Sequence, residues 1–180
     1  MIPIRLLLSI AIIAAIAMLV GVGMGVLRTS LAQHQVEQQC QNLLSTLGTM
    51  VQSGVPRDLN EWLAADGTTR AQTLTLPDTL VYLSFGGDPD VEKSGVFHPH
   101  LSLDGSSIFY QVQGGSKQVI WLTKGLYRFR EGCLANRTWV LNGDGESYII
   151  DHGGSSTLIF ELVEKNHETY ILIHGNDGIE

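Results

Sequence analysis

The sequence predicts an α+β protein in which a long N-terminal helix, first transmembrane and then amphipathic, packs on a C-terminal antiparallel β-sheet or sandwich. Three observations predict this fold class. Residues 6–27 form an apolar run, residues 28–54 are apolar on one side only, and β-type segments separated by turn residues follow from about residue 72. We therefore divide the chain into a short tail with a membrane helix at 1–27, a stem at 28–54 and a β-rich domain at 55–180.

The apolar run has the length of a membrane-spanning helix. Between Leu6 and Leu27 there is no charged residue, and Ser9 is the only polar side chain. Its roughly 22 residues extend about 33 Å as a helix, which matches the hydrocarbon thickness of a bilayer. The alternative is a secretory signal cleaved after Ala32, but the apolar region of a signal peptide is shorter, about 7–15 residues. We therefore expect an uncleaved anchor.

Charges near the run favour a cytoplasmic N-terminus and a single-pass protein whose main domain is extracytoplasmic. The terminal amine and Arg5 precede the run, whereas Arg28 alone follows it closely. Every acidic residue lies at or after Glu37, so the part beyond Leu27 has 10 basic and 18 acidic residues, a formal charge of −8. A surface this acidic repels polyanions, which argues against nucleic-acid binding.

Small residues recur at every fourth position of the run, at Ala17, Gly21 and Gly25. Residues four apart share a helix face, and small side chains allow a second helix backbone to approach closely. The pattern predicts packing against another membrane helix. The alternative is that it reflects only the general frequency of small residues in membrane helices.

After Arg28 the pattern predicts a helix with one buried face. The apolar residues of this stripe are Leu31, Leu43, Leu44, Leu47, Met50 and Val51. Its later members have the i, i+3, i+4, i+7 spacing of an amphipathic helix. No Pro or Gly occurs from Thr29 to Leu47, so we expect one continuous helix to about Gln52, ended by Gly54 and Pro56.

This layout resembles the type IV pilin-like superfamily, which includes bacterial pseudopilins and archaeal pilins with their accessory proteins. The similarity covers the whole chain as an arrangement, with a helical stem from Leu6 to about Gln52 and β-structure from about Gln72. Members normally carry a short basic leader that ends in a small residue, and often a Glu within the apolar run. Here the five residues before Leu6 include no Gly or Ala, and the run has no Glu.

Alternating apolar residues and turn residues predict short strands in the β-domain. Three hairpins are expected, joining 107–113 to 117–123, 137–141 to 147–151, and 157–163 to 168–174. Segments 72–76 and 80–85 could also pair, although Pro77 bends the chain between them. The apolar stripe of the stem would then cover one face of the sheet and complete its core.

Two covalent modifications are possible from the sequence. Cys40 and Cys133 are the only cysteines, and in an oxidising compartment a disulfide between them would close a loop of about 90 residues and contribute about 2–4 kcal/mol. The alternative is two free thiols, with Cys40 as a small apolar residue of the helix face. Asn136 begins an Asn-Arg-Thr acceptor pattern for N-glycosylation.

No pattern in the sequence predicts a catalytic, cofactor or metal site. His98-Pro99-His100 follows Asp88, Asp90 and Glu92 but lacks a third His or Cys ligand, so a solvated loop is expected. Residues 142–146 have acidic oxygens but not the spacing of a calcium loop. Motifs for a nucleophile or a phosphate loop are also missing from the sequence. Six aromatic residues could line a ligand surface, although strand aromatics are more often core: Trp62, Trp121, Trp139, Tyr110, Tyr127 and Tyr148.

The leading hypothesis is a membrane-anchored structural or interaction protein of the cell surface, not an enzyme. Its expected partners are the membrane and other pilin-like or membrane-helix subunits. The resemblance implies a subunit or accessory component of a surface filament or secretion assembly. One rival is an anchored binding or sensing module, and a second is a secreted enzyme released by cleavage after Ala32.

Overall fold

The computed structural model of this chain describes residues 4–61, 66–135, 138–142 and 146–175. Over these residues the fold is α+β, as the sequence predicts: helix α1 (Ile4–Ser53) precedes ten strands that form two sheets. The strands are β1 (Arg57–Asp58), β2 (Thr69–Leu76), β3 (Leu80–Phe85), β4 (Ser107–Val112), β5 (Gln118–Trp121), β6 (Phe129–Ala135), β7 (Thr138–Leu141), β8 (Tyr148–Ile150), β9 (Gly154–Lys165) and β10 (Glu168–Gly175).

Helix α1 is a single element of 50 residues, or about 75 Å. It passes without interruption from the apolar run into the stem. Its end follows from the local sequence, because the N–H of Gly54 donates to the carbonyl of Met50 at 2.7 Å and Pro56 cannot continue a helix. The predicted end near Gln52 is therefore confirmed.

The larger sheet, sheet A, has the strand order β1-β9-β10-β6-β7, and β2 also pairs with β9. Strand β9 has 12 residues, and along one edge it pairs first with β2 (residues 154–161) and then with β1 (residues 163–164). Strands β1 and β6 run parallel to their neighbours β9 and β10, whereas the other pairs are antiparallel. Sheet A is consequently mixed, because β1 and β6 are reached by long connections rather than by hairpins. Sheet B has the order β5-β4-β3-β8 and is antiparallel throughout.

The two sheets meet across three phenylalanine rings. Phe85 of β3 lies edge-on to Phe129 of β6, with ring centroids 5.6 Å apart, and to Phe160 of β9 at 6.2 Å. All three rings are fully buried, and edge-to-face contacts add to the stabilisation from burial itself. The surrounding aliphatic core comprises Leu74, Leu76, Leu83, Ile108, Val112, Ile150, Leu158, Leu162, Ile171 and Ile173.

The second half of α1 completes this core by packing on β2 and β4. Its buried stripe is Ala32, Val36, Cys40, Leu43, Leu47 and Met50, spaced three or four residues apart. Leu44 and Val51 pack at the margin of the core, as expected for members of the predicted stripe. The prediction is wrong for Leu31, which is 69% exposed, because Ala32 lies about 100° further around the helix and faces the sheet instead.

Two of the three predicted hairpins are confirmed. β4 pairs with β5, and β9 pairs with β10 around Asn166 and His167, whose positive φ angles of 54° and 64° suit a tight hairpin turn. The hairpin predicted from 137–141 and 147–151 is wrong, because β7 pairs with β6 in sheet A and β8 with β3 in sheet B. Segments 72–76 and 80–85 do not pair either, since the chain crosses between the sheets after β2.

Leu47 and Leu31 provide a matched test of the stem's role in the core, because one is fully buried and the other is mostly exposed. Leu47→Ala should lower the free energy of unfolding by about 2–5 kcal/mol through the cavity it leaves. Leu31→Ala should change it by less than about 0.5 kcal/mol. Denaturant unfolding of the full chain in detergent micelles measures both. Equal effects would mean that the stem does not belong to the core.

Candidate functional site: the stem helix and its junction with the β-domain

The first half of α1 lies outside the core. Every side chain described from Leu8 to Leu27 is exposed, and this segment is apolar almost throughout. Such a surface is unfavourable in water and favourable in hydrocarbon. Among the described residues, α1 is the one helix long and apolar enough to cross a membrane. The expected anchor therefore has a helix of suitable length and composition.

The small residues Ala17, Gly21 and Gly25 lie on this uncovered part of α1 and are all exposed. A Cβ atom placed on Gly21 or Gly25 would meet nothing within 4 Å. No described part of the chain therefore packs against the two glycines. Their backbone is open to a neighbouring molecule.

The turn between β4 and β5 contacts α1 just beyond the apolar run. The hydroxyl of Thr29 donates to the carbonyl of Gln113 at 3.4 Å, and the side-chain amide of Gln33 donates to the carbonyl of Ser116 at 3.5 Å. A Cβ on Gly115 would lie 2.7 Å from the side-chain nitrogen of Gln33, so that amide would have to shift and its contact with the turn would be disturbed. The β-domain thus begins within about one helical turn of the end of the apolar run.

A cleft of about 560 Å³ opens between α1 and this turn, and Gly25 is part of its wall. The other lining residues are Val26, Thr29, Ser30, Gln33, Gly114, Gly115 and Ser116. Gly25 therefore lies on the side of α1 that faces the β-domain. Gly21 is four residues earlier, so it lies about 40° around the helix axis from Gly25. A neighbouring helix packed on these glycines would run beneath the domain.

A long loop, residues 86–106, covers the outer face of sheet B. The ring of Phe97 packs edge-on to Tyr82 of β3, with centroids 5.2 Å apart. The Lys117 ammonium lies 2.7 Å from both carboxylate oxygens of Asp88, at the start of the loop. Near its end, the guanidinium of Arg130 lies 2.7 Å from Asp104. Ion pairs therefore hold the loop at both ends.

The loop encloses a pocket of about 180 Å³ that includes several residues noted in the sequence. Its lining is Asp88, Pro89, Val91, Glu92, Ser94, Val96, His98, Pro99 and His100. Asp90 instead accepts the backbone N–H groups of Ser94 and Gly95, at 2.8 and 3.3 Å. No group of three or more His, Cys, Asp or Glu side chains among the described residues could hold a metal ion.

Two hydroxyl groups are buried beneath the loop, on Tyr82 and Ser84 of β3. Both residues are fully buried, and neither hydroxyl has a hydrogen-bonding partner among the described residues. Burial, together with the negative charges of Asp88 and Asp90, raises the pKa of Tyr82 above its usual value. The neutral hydroxyl is favoured, and it can both donate and accept a hydrogen bond.

Sheet A buries an ion pair on its outer face. The guanidinium of Arg57 binds both carboxylate oxygens of Glu161, at 2.5 and 2.9 Å, and donates to the carbonyl of Trp139 at 2.7 Å. The Trp139 ring stacks on His174 with centroids 3.8 Å apart. These contacts link β1, β7, β9 and β10, and a buried pair satisfied in this way is costly to break.

The two cysteines are free, so the disulfide expected as one alternative is not formed in the structure. Cys40 is buried in the helix stripe, and burial, with a smaller effect of Glu37, raises the pKa of its thiol to about 12. A thiol of this kind is unreactive. Cys133 lies on β6, where its sulfur approaches the carbonyl of Leu141 at 3.7 Å. The two thiols therefore lie in different environments. The spacing of the cysteines in the sequence could not show this.

The five aromatic candidates that the structure describes lie in different places and do not form one surface. Tyr110 belongs to the core, with Tyr127 and Tyr148 at its margin. Trp121 is 57% exposed at the end of β5, where its ring lies edge-on to Phe109 at 5.6 Å. Trp62 lies outside the described residues, as do the glycosylation candidate Asn136 and residues 143–145 of the calcium-like segment.

The ion pairs were not anticipated from the sequence. Arg57 and Glu161 are 104 residues apart, and Lys117 and Asp88 are 29 apart. No local spacing rule relates residues this distant, because their contacts depend on sheet topology. Glu161 interrupts the apolar run at 158–163 of β9, and a charged residue in such a run was the available signal for a buried partner.

Comparisons with protein-family models, with curated proteins and with solved structures find no match to this chain. The resemblance to the type IV pilin-like superfamily therefore remains an expectation based on layout.

His174 should make stability depend on pH. Burial lowers its pKa below the usual value of about 6.5, against smaller opposite effects of the Gly175 backbone and Glu161. As pH falls below about 6.5, the unfolded chain binds the proton first, so the free energy of unfolding decreases. Between about pH 7.5 and pH 5.5, the free energy of unfolding of His174→Gln should therefore decrease less than that of the unsubstituted chain.

His167→Gln is the matched control, because the side chain of His167 is 99% exposed. Denaturant unfolding at both pH values should give the control the same loss as the unsubstituted chain. An equal loss in His174→Gln would show that the buried imidazole does not contribute.

Proposed function

We propose that this chain is a membrane-anchored structural or interaction protein, either a pilin-like subunit or an accessory component of a surface filament or secretion assembly. The observation that carries the proposal is helix α1, whose first half is uncovered and whose second half belongs to the domain core. A helix shared in this way fixes the domain relative to the membrane segment. Its free half remains available to neighbouring helices.

In this proposal the N-terminus is cytoplasmic and the acidic β-domain stands on the outer surface of the membrane. Arg5 precedes the apolar run and favours that orientation. The contact between the β4–β5 turn and α1, just beyond the apolar run, supports a position of the domain close to the membrane surface. Neighbouring copies or partner subunits would then meet both within the bilayer and immediately above it.

The contact proposed within the bilayer is the face formed by Ala17, Gly21 and Gly25. Because glycine has no side chain, a neighbouring backbone can approach closely and gain van der Waals contacts. Gly21, Gly23 and Gly25 all have open surroundings, but only Gly21 and Gly25 share a helix face with Ala17, and that shared face supports this role.

A second candidate function is an anchored binding or sensing module. The observation that favours it is the pocket enclosed by the loop at 86–106, together with the buried hydroxyls of Tyr82 and Ser84. In that case α1 would serve only as an anchor. Substitutions on its small-residue face would leave function unchanged.

Gly21→Leu and Gly23→Leu distinguish these candidates. The two substitutions add the same volume to α1, but Gly23 lies about 200° around the helix from Gly21. We expect Gly21→Leu to reduce the assembled fraction of the chain about tenfold, which corresponds to a loss of about 1–2 kcal/mol. Gly23→Leu should have little effect.

The measurement is the amount of each variant in surface filaments sheared from the native host and in the carbonate-resistant membrane fraction. Both variants must be present in membranes at the level of the unsubstituted chain for the comparison to count. If Gly21→Leu assembles normally, the small-residue face is not the contact. If the unsubstituted chain is found only in membranes and as a monomer, the result favours the anchored binding module over the assembly role.

A further inference from the structure

The strands β6 and β7 form a hairpin that belongs only in part to sheet A. Strand β6 pairs with β10 over residues 129–131, and residues 132–135 pair only with β7 among the described strands. We call the paired residues 132–135 and 138–141 the flap. A two-stranded hairpin is at best marginally stable by itself in water, so the flap depends on its contacts with the rest of the domain.

The flap folds back across the outer face of sheet A. Strands β7 and β1 are at opposite ends of the strand order, four strand spacings or about 19 Å apart in a flat sheet. No arginine side chain spans that distance, yet the guanidinium of Arg57 in β1 donates to the carbonyl of Trp139 in β7 at 2.7 Å. The hairpin therefore curls over β9 and β10 instead of lying beside them.

His174 lies beneath the flap. Side chains of β10 alternate between the two faces, and Ile171 and Ile173 belong to the core, so His174 is on the outer face. The Trp139 ring stacks on its imidazole, with 3.8 Å between centroids and 8° between ring planes. His174 is 5% exposed, and its Nδ1 atom has no hydrogen-bonding partner among the described residues. The flap thus shields an imidazole that water would otherwise reach.

The charged groups near His174 would not compensate a proton on its ring. Glu161 of β9 is the acidic side chain whose charge acts on His174, but Arg57 already binds both of its oxygens. The described residues of the flap include no ionisable side chain except Cys133, whose sulfur approaches the carbonyl of Leu141. Other ionisable groups around these strands act elsewhere: Arg130 on Asp104, Glu131 on Asn142, Tyr170 on Glu168, and Asp66 on Arg57.

We propose that the flap is a pH-sensitive device, which lies closed over a neutral His174 and opens when this imidazole binds a proton. A buried cation without a free acceptor is costly, whereas an exposed imidazolium is solvated by water. Stacking on Trp139 attracts an imidazolium, but one such contact is weaker than the cost of burying an unpaired charge. Opening exposes the outer face of β9 and β10, including Leu172 and the pair of Arg57 with Glu161.

The direction and size of the effect follow from proton linkage. In the open flap His174 has an ordinary pKa of about 6.5, and burial lowers this pKa when the flap is closed. Closure is therefore fully stable well above about pH 6.5 and is weakened as pH falls below that value. Between about pH 7.5 and pH 5.5, one such proton raises the ratio of open to closed flap by up to about tenfold. The device does not depend on the assembly role or on the test at Gly21.

Amide hydrogen exchange of the full chain in detergent micelles tests the flap. The amides at 132–135 and 138–141 are compared at about pH 7.5 and pH 5.5 between the unsubstituted chain and His174→Gln, so that the intrinsic effect of pH on exchange cancels. On acidification, exchange in the flap should increase about three- to tenfold more in the unsubstituted chain. His167→Gln, which alters an exposed side chain, should match the unsubstituted chain. The same increase in His174→Gln would overturn the device.

Local opening must also be separated from unfolding of the whole domain. After correction for intrinsic rates, the flap amides should exchange at least about tenfold faster than those at 108–112 of β4, because the flap opens while the core stays folded. Equal protection of the two segments would mean that the flap opens only on global unfolding, which would contradict the device.

Trp139→Leu gives a second test in which His174 is kept. Without the stacked ring the imidazole is less shielded when the flap is closed, so its pKa should differ less between the closed and open flap. Exchange in the flap should be faster than in the unsubstituted chain at both pH values and should depend less on pH. An undiminished pH effect in Trp139→Leu would show that the flap does not respond to the shielded imidazole.

Discussion

The fold depends on one helix that meets two different environments. α1 is apolar on all sides over its first half, which suits lipid, and on one side over its second half, which suits the sheets. The two sheets are joined through Phe85, Phe129 and Phe160, but they need a third layer over β2 and β4. Leu43, Leu47 and Met50 provide it. Removing the stem would expose a continuous apolar surface of the domain.

This arrangement determines where the rest of the molecule lies. Since α1 is continuous, the domain is joined to the apolar half of the helix without a linker, and the β4–β5 turn contacts α1 just beyond the apolar run. Ion pairs then join segments that are far apart in the sequence. Arg57 with Glu161 ties β1 to β9, and Lys117 with Asp88 ties the loop at 86–106 to the turn before β5.

Local patterns predicted the helix, its end and two hairpins, because each depends on residues close in sequence. The predicted stripe was wrong at Leu31, because spacing alone could not show whether Leu31 or Ala32 faces the sheet. The hairpin between β7 and β8 failed because a turn signal does not say whether the chain returns to the same sheet. The loop pocket depends on topology, so the sequence indicated several of its residues but not their arrangement.

The most direct test of the central claim is the unfolding of the β-domain with and without its stem. Residues 29–180 should unfold in one cooperative transition in denaturant. Residues 55–180 should show none, because the apolar faces of β2 and β4 are then open to water. Adding a peptide of residues 29–53 should restore the transition. A cooperative transition of 55–180 alone, at the same midpoint, would contradict the account.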